Sequence, residues 1–157
     1  MNQLVKGHIV FDHDGTLAYP GQYQMMIYPG MRDLLLKLKS LNFNLYVWTA
    51  RGRASTLKSL KDNQIVELFT DISSPDDAMM KPHPMGLQKM LDGIDKKNVL
   101  HIGDSRGDLE GAKNFGIEFV FAAWGNKENG ELFQSFTEMV AFDLNELEKY
   151  IEIKFNH

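Results

Sequence analysis

Cysteine is absent from the 157-residue chain, and its absence excludes several kinds of site. Without cysteine there is no disulfide scaffold, no structural metal site built from thiolates and no thiol nucleophile. Any catalytic site must therefore use oxygen and nitrogen groups. Oxygen ligands favour a hard cation such as Mg²⁺ over zinc or copper.

The chain also lacks an excess of positive charge. It has 17 Lys and Arg against 21 Asp and Glu, for a formal net charge of -4. No broad basic surface is expected, so nucleic acid is not predicted as an obligatory partner. The first residues contain no apolar run of the length of a signal peptide or membrane span. We therefore expect a cytoplasmic protein with no membrane partner.

Internal repeats, low-complexity tracts and linkers are missing as well, which predicts one domain over residues 1–157. A chain of this length buries roughly 70% of its unfolded surface without disulfides or structural metals. Short β-rich apolar runs alternate with amphipathic helical patterns. This alternation predicts an α/β fold with a single doubly wound, Rossmann-like parallel sheet.

The expected elements follow from periodicity and turn residues. Strands are predicted at 8–12, 44–49, 68–72, 99–104 and 118–124, and helices after Gly30, at 53–63, around Leu87 to Leu91, from Leu109 to Gly116 and at 145–151. Pro20 and Gly21 lie between two apolar arms, which predicts a small β-hairpin over residues 17–28. The polar segment 125–130 is predicted as a loop.

Four short segments carry the polar residues that point to a function. They are Phe11–Leu17, Trp48–Gly52, Lys81–Pro84 and Gly103–Asp108. Three of them directly follow an apolar run, so they are expected where buried strands end. Ligands of doubly wound sheets bind beyond the carboxyl ends of the strands. The candidate site residues at this edge are Asp12, Asp14, Thr49, Lys81, Asp104 and Asp108.

Four carboxylates at one sheet edge repel each other and are costly to desolvate unless cations neutralise them. Lys81 supplies only one positive charge. A divalent cation would supply the rest, and the oxygen ligands point to Mg²⁺. The sequence therefore predicts a magnesium site formed by the four aspartates.

Each candidate also has a purely structural interpretation. Asp12 and Asp14 alone would suit a solvated turn, and Thr49 would suit a strand-end hydroxyl that satisfies the backbone. Lys81 alone would be a surface lysine, and Asp108 would be a first-turn residue favoured by the helix dipole. The six residues taken together favour a functional site.

Other polar residues near the motifs are left with structural roles. We expect Arg51, Arg53 and Arg106 to lie on the rim of the site. Contact between one of them and the leaving group of a substrate stays an open alternative. His101 is predicted to be a satisfied core residue. His13 is expected to point away from its neighbouring aspartates if the strand alternation continues. Hairpin residues 17–28 fit packing and substrate contact equally well.

The four segments, in this order, resemble the signature of the haloacid dehalogenase superfamily, in its phosphatase branch, over roughly residues 8–124. The resemblance implies a Mg²⁺-dependent phosphohydrolase, acting on phosphomonoesters through an aspartyl-phosphate. Asp12 would be the nucleophile and Asp14 the general acid and base. Thr49 would bind a phosphoryl oxygen, and Lys81 would offset negative charge.

By the same resemblance, Asp12, Asp104 and the backbone carbonyl of Asp14 would hold the metal. Asp108 would orient metal-bound water and pair with Lys81. Asp14 also argues against a dehalogenase, because dehalogenases of the superfamily lack this second aspartate. The partner would be a phosphorylated substrate.

Cap domains of this superfamily are inserted after the first motif or between the second and third. Residues 17–48 and 52–80 are already used by the predicted hairpin, helices and strands. We therefore expect a capless enzyme, in which a bulky phosphorylated substrate enters freely and a small one needs a homo-oligomer to exclude water. The absence of a cap also disfavours a phosphomutase.

Two non-enzymatic alternatives stay open. Response-regulator receivers also place an acidic cluster, a hydroxyl and a lysine on a doubly wound sheet. Their lysine follows the acidic residues at the last strand, whereas Lys81 precedes Asp104 and Asp108. The second alternative is a binding module that has lost activity, although every motif position is retained. Turnover of an aryl phosphate separates these interpretations.

Overall fold

The computed structural model describes residues 4–156. The strands among these residues are β1 (Gly7–Phe11), β2 (Ala18–Pro20), β3 (Met25–Ile27), β4 (Phe43–Trp48), β5 (Asp71–Ser73), β6 (Val99–Gly103), β7 (Glu118–Ala122) and β8 (Val140–Ala141). The helices are α1 (Met31–Ser40), α2 (Arg53–Asp62), α3 (Met85–Met90), α4 (Arg106–Phe115), α5 (Lys127–Phe133) and α6 (Leu144–Phe155). None of the helices between residues 4 and 156 has the length and apolar character needed to cross a membrane.

A six-stranded sheet forms the centre of the fold, in the order β5-β4-β1-β6-β7-β8. All neighbouring pairs are parallel. The chain fills one half of the sheet from β1 through β4 to β5, and the other half from β6 through β7 to β8. The strand order therefore reverses beside β1, which is where ligands bind in such sheets. The predicted doubly wound α/β fold is confirmed.

Helices cover both faces of the sheet because successive strand side chains point to opposite sides. Ile9 and Phe11 of β1 pack with the buried side chains of α1 and α6. Val10, between them, packs with buried residues of α3 and α4. The central strands are therefore apolar on both faces, as expected for a covered parallel sheet.

The predicted hairpin is present as antiparallel β2 and β3, with Tyr19 opposite Met26. Its anchor is Asn63, at the end of α2, whose side chain accepts a hydrogen bond from the backbone N–H of Ile27 and donates one to the carbonyl of Met25. Between β1 and α3, the described chain otherwise contains α1, β4, α2, a short 3₁₀ turn and β5. No inserted domain lies in this part of the chain, which agrees with the expected fold.

Several predicted boundaries are wrong. The polar loop predicted at 125–130 is largely helical, because the Asn126 side chain caps α5 and Phe133 is buried at its end. Strand β5 starts only at Asp71, since Val66–Leu68 forms a 3₁₀ turn. Strand β8 is two residues long and was not predicted. Helix α6 continues to Phe155, beyond the predicted end.

Helix α4 packs against the sheet through a glycine, which gives a test of the packing. A Cβ on Gly111 would overlap the ring of Trp48, whereas a Cβ on Gly107 would have its nearest neighbours 3.7 Å away. Gly111→Ala should lower the free energy of unfolding by about 1 to 3 kcal/mol through overpacking. Gly107→Ala, in the same helix, should leave it unchanged or raise it by up to about 1 kcal/mol. Urea denaturation measures both, and equal effects would contradict this packing.

Candidate active site

The polar motif residues meet at one edge of the sheet because they follow three neighbouring parallel strands. Asp12 follows β1, Thr49 follows β4, and Asp104 follows β6. They line an open cleft of about 490 Å³. Its lining residues are Asp12, Asp14, Thr49, Ala50, Arg51, Lys81, Asp104 and Ser105. The structure thus brings five of the six predicted site residues to the cleft wall, with Asp108 beneath it.

Three carboxylates form a compact acidic cluster. Oxygen atoms of Asp12, Asp104 and Asp108 lie within 4.8 Å of one another. Asp12 and Asp108 are buried. Carboxylates this close can be ionised together only when cations neutralise them.

Lys81 is the internal cation of the cluster. Its Nζ donates to Asp12 Oδ1 at 3.0 Å and to Asp108 Oδ1 at 2.5 Å. The ammonium also lies 4.8 Å from the centre of the Trp48 ring. Only 7% of the Lys81 side chain is exposed, so the alternative interpretation of Lys81 as an ordinary surface lysine is wrong.

Burial and the neighbouring charges push the pKa values of the cluster apart. Burial lowers the pKa of Lys81, but the attraction of Asp12 and Asp108 outweighs it and the pKa of Lys81 is raised. Burial raises the pKa of Asp12 and of Asp104, and Asp108 adds to both effects. Burial acts on Asp108 as well, yet Lys81 and His101 hold its pKa far below the ordinary range.

Asp108 is surrounded by donors. Its carboxylate contacts Lys81 Nζ, His101 Nε2, Ser105 Oγ and the backbone N–H groups of Asp104 and Ser105. It also closes the capping box that starts α4. Asp108 is therefore suited to orient the cluster, because its oxygens are already engaged.

The acidic cluster fits a hard divalent cation. One lysine faces three carboxylates, and burial raises the pKa of Asp12 and Asp104, the two that face the cleft. Their oxygens are the ligand type that Mg²⁺ prefers. The Asp14 side chain is not part of this cluster, because its carboxylate is paired with Arg51 and His13.

Asp14 is held from two sides. Arg51 forms a two-pronged ion pair with it, with Nε 2.9 Å from Oδ1 and Nη2 2.7 Å from Oδ2. His13 Nδ1 lies 2.7 Å from Oδ1, and it must donate because a carboxylate only accepts. Partial burial acts to raise the pKa of Asp14, but these donors outweigh it and lower the pKa.

The prediction that His13 points away from its aspartate neighbours is wrong. Its buried ring bridges Asp14 Oδ1 and Ser59 Oγ, with 2.7 Å to each. The strand alternation ends at Phe11, and the next residues form a turn in which the N–H groups of Leu17 and Ala18 donate to the His13 carbonyl. Extrapolating the strand beyond its end caused the error.

His101 has the core position predicted for it, but it also supports the site. Its Nδ1 lies 2.8 Å from the Val10 carbonyl oxygen, and its Nε2 lies 3.0 Å from Asp108. A histidine in an apolar strand three residues before Asp104 was the available signal. Sequence reasoning gave it no role because its partner, Asp108, lies in the next helix.

Thr49 and the three arginines take different positions. Thr49 Oγ1 accepts from the Arg51 N–H at 3.0 Å, so its hydroxyl proton remains for another acceptor. Arg53 pairs with Asp77 at 2.8 Å, and Arg106 pairs with Glu110 at 3.2 Å. Of these arginines, Arg51 lines the cleft.

Comparison with known proteins agrees with this fold and site. Residues 20–122 match the family of haloacid dehalogenase-like hydrolases. This chain belongs to that family.

Individual relatives have low sequence identity to this chain. The pyrophosphatase PpaX of Bacillus cereus is 26% identical over 127 residues, which cover 79% of this chain and 56% of the relative. The chain thus spans about half the length of the curated relatives it matches. A predicted phosphoglycolate phosphatase from Haemophilus somnus has 17% identity and a TM-score of 0.80, covering 95% of this chain and 100% of that chain. A haloacid dehalogenase-like hydrolase from Streptococcus pneumoniae has 19% identity and a TM-score of 0.74, covering 92% and 98%.

Two isosteric substitutions in the cluster should change stability in opposite directions. Because burial raises the pKa of Asp104, its ionised form destabilises the metal-free fold at neutral pH, and Asp104→Asn should stabilise it. Asp108→Asn leaves Lys81 without one buried partner and should cost about 3 kcal/mol. Urea denaturation in chelator measures both free energies. Mg²⁺ should then raise the melting temperature of the wild type but not of Asp104→Asn, and destabilisation by Asp104→Asn would contradict this account.

Proposed function

We propose that this protein is a Mg²⁺-dependent phosphohydrolase that cleaves phosphomonoesters through a phosphorylated Asp12. The observation that carries the proposal is the position of Asp12, which directly follows β1, lines the cleft and accepts a hydrogen bond from Lys81. Membership of the hydrolase family supports the same conclusion. A phosphorylated compound is the proposed partner.

In the first half-reaction, a carboxylate oxygen of Asp12 attacks phosphorus and the bond from phosphorus to the ester oxygen breaks. Arg51 and His13 keep Asp14 ionised in the free enzyme, so in this mechanism the pair with Arg51 must break and Asp14 must take up a proton, which it then gives to the departing oxygen. Lys81 and the Thr49 hydroxyl stabilise the negative charge on the nucleophile and the phosphoryl oxygens. The products of this step are a free alcohol and an aspartyl-phosphate.

In the second half-reaction, water attacks the phosphorus of the aspartyl-phosphate. Asp14 takes the proton from that water, and the bond from phosphorus to the Asp12 oxygen breaks. Inorganic phosphate leaves and Asp12 is regenerated. The use of one residue as acid and then as base follows from microscopic reversibility.

Asp12, Asp104 and the backbone carbonyl of Asp14 would hold Mg²⁺, with Asp108 orienting the groups around it. The bound cation supplies charge neutralisation between the nucleophile and the phosphoryl oxygens. Lys81 alone leaves the three clustered carboxylates undercompensated, which supports the assignment of a divalent ion.

The open shape of the cleft affects the size of substrate that it can use. The hairpin β2–β3 flanks Asp14, and its Met25 sulfur lies 3.3 Å from Arg51 Nη2. A bulky phosphorylated substrate can enter such a cleft, whereas a small one needs a second copy of the chain to exclude water. PpaX is named as a pyrophosphatase, and a phosphoanhydride is therefore a second substrate class to include in a screen.

Replacing the proposed nucleophile tests the central claim. Asp12→Asn keeps the side-chain shape but removes the attacking carboxylate, so steady-state hydrolysis of p-nitrophenyl phosphate in Mg²⁺ should disappear. Asp62→Asn, which alters an exposed ion pair with Lys58, is the control and should keep wild-type turnover. Persistent hydrolysis by Asp12→Asn would exclude this nucleophile. A wild-type protein that becomes phosphorylated once without turnover would instead be a phosphoacceptor domain.

The role of Asp14 predicts a dependence on the leaving group. A p-nitrophenolate leaves without help from a proton, whereas an alkoxide does not. Asp14→Asn should therefore lower the rate constant for phosphorylation of the enzyme by roughly 10² to 10⁴ with an alkyl phosphate and by much less with p-nitrophenyl phosphate. Single-turnover release of alcohol or nitrophenol measures this step. Equal losses with both esters would remove Asp14 from proton transfer.

A further inference from the structure

Arg51 is fixed at the mouth of the cleft by contacts that do not depend on Asp14. Its Nη1 donates to Ser55 Oγ of α2 at 2.7 Å, and its Nη2 lies 3.3 Å from the sulfur of Met25 in β3. Its Nε and Nη2 donate to the two carboxylate oxygens of Asp14. The guanidinium therefore stays in place when its hydrogen bonds to Asp14 break.

The two cations of the cleft are not equivalent. Lys81 is buried and shared between Asp12 and Asp108, so its charge already compensates these two carboxylates of the acidic cluster. The Arg51 side chain is 26% exposed, and its partner Asp14 is 51% exposed. Arg51 is thus the more exposed of the two cleft cations, and the one placed to meet a second anionic group of a substrate.

The ion pair with Arg51 conflicts with the proposed work of Asp14. To serve the ester oxygen of a substrate, Asp14 must direct one carboxylate oxygen toward it. Both oxygens now face the planar fork of Arg51. At least one contact must therefore break when substrate binds, and a guanidinium that loses a carboxylate is best compensated by another planar or tetrahedral oxyanion.

His13 keeps Asp14 in place during that exchange. The His13 ring is fully buried, and Ser59 of α2 holds its far nitrogen. Because His13 contacts only Oδ1, Oδ2 is the oxygen that becomes free when the contacts between Asp14 and Arg51 break. Asp14 would therefore remain oriented while its other oxygen faces the leaving group.

We infer that Arg51 recognises a second anionic group on the leaving-group side of the substrate, a carboxylate or a second phosphoryl group. This inference rests on the proposed function, because Asp14 faces the leaving group only if it transfers the proton. The anionic group would take the place of Asp14 on the guanidinium. The preferred substrates are then phosphate esters or anhydrides whose leaving group is itself negatively charged.

Matched substrates test the inference. The pair 2-phosphoglycolate and 2-hydroxyethyl phosphate, and the pair 3-phosphoglycerate and glycerol 3-phosphate, each exchange a carboxylate for a hydroxymethyl group. Pyrophosphate tests whether a second phosphoryl group is recognised. In at least one of the two pairs, the substrate with the carboxylate should exceed its hydroxymethyl partner in kcat/KM by about tenfold or more. Pyrophosphate is an anhydride with a better leaving group, so its readout is a larger loss of kcat/KM in Arg51→Gln than 2-hydroxyethyl phosphate shows.

Arg51→Gln should bring the ratio of kcat/KM values within a pair close to one. Arg51→Lys should restore part of the preference, because the positive charge returns without the planar guanidinium. Arg106→Gln removes a charge that pairs with Glu110 outside the cleft lining, and it should retain the full preference. Thermal unfolding of each variant checks that it is folded. The ratio within a pair is the readout, because a general defect in folding or chemistry lowers both members together.

Three results would overturn the inference. The wild type could show no preference in any pair, Arg51→Gln could keep the preference, or Arg51→Gln could lower both members of each pair equally. The last result would assign Arg51 to the transferred phosphoryl group. Failure of the proposed function looks different, because the wild type would then hydrolyse none of these compounds, nor p-nitrophenyl phosphate, and the inference would fall with it.

Discussion

The contact between Lys81 and two buried carboxylates is the constraint on which the site depends. Asp12 directly follows β1, Asp108 lies in α4, and the lysine comes from the segment before α3, so a single ammonium joins three parts of the chain. Breaking such a buried group of charges is costly, since any partner left alone is desolvated without compensation. The same contact leaves the cluster short of positive charge. One arrangement thus ties the sheet edge together and creates the demand for a divalent cation.

The elements that sequence reasoning placed correctly are those that depend on strong local patterns. Apolar runs ending in aspartate located β1 and β6, and Gly116, with a φ of 91°, ends α4 where a stop was expected. The motif residues converge because parallel strands share a carboxyl edge, which follows from topology alone. The acidic cluster was therefore predictable before any coordinates. Its members appear in the structure with Asp108 as the buried support and Asp12 and Asp104 toward the cleft.

Two of the differences between prediction and structure have the same physical cause, because the residues involved contact partners that are distant in sequence. His13 was misplaced because its ring is directed by Ser59, 46 residues away, and by the turn that follows β1. The ion pair between Asp14 and Arg51 joins residues 37 apart and has no local signature. Helix α5 was missed because a polar stretch with a glycine has weak helix propensity, while the Asn126 cap and burial of Phe133 stabilise it.

A cleft at the bare edge of a sheet has few surfaces with which to select a substrate. Beyond the acidic cluster, Arg51 lines the cleft and contacts both the hairpin β2–β3 and the start of α2, through Met25 and Ser55. Most other charged groups of the cleft are committed to each other. Selectivity at such a site has to come from a group that is both fixed and able to change partner. Arg51 meets both conditions, because its hold on Ser55 survives the exchange of Asp14 for another anion.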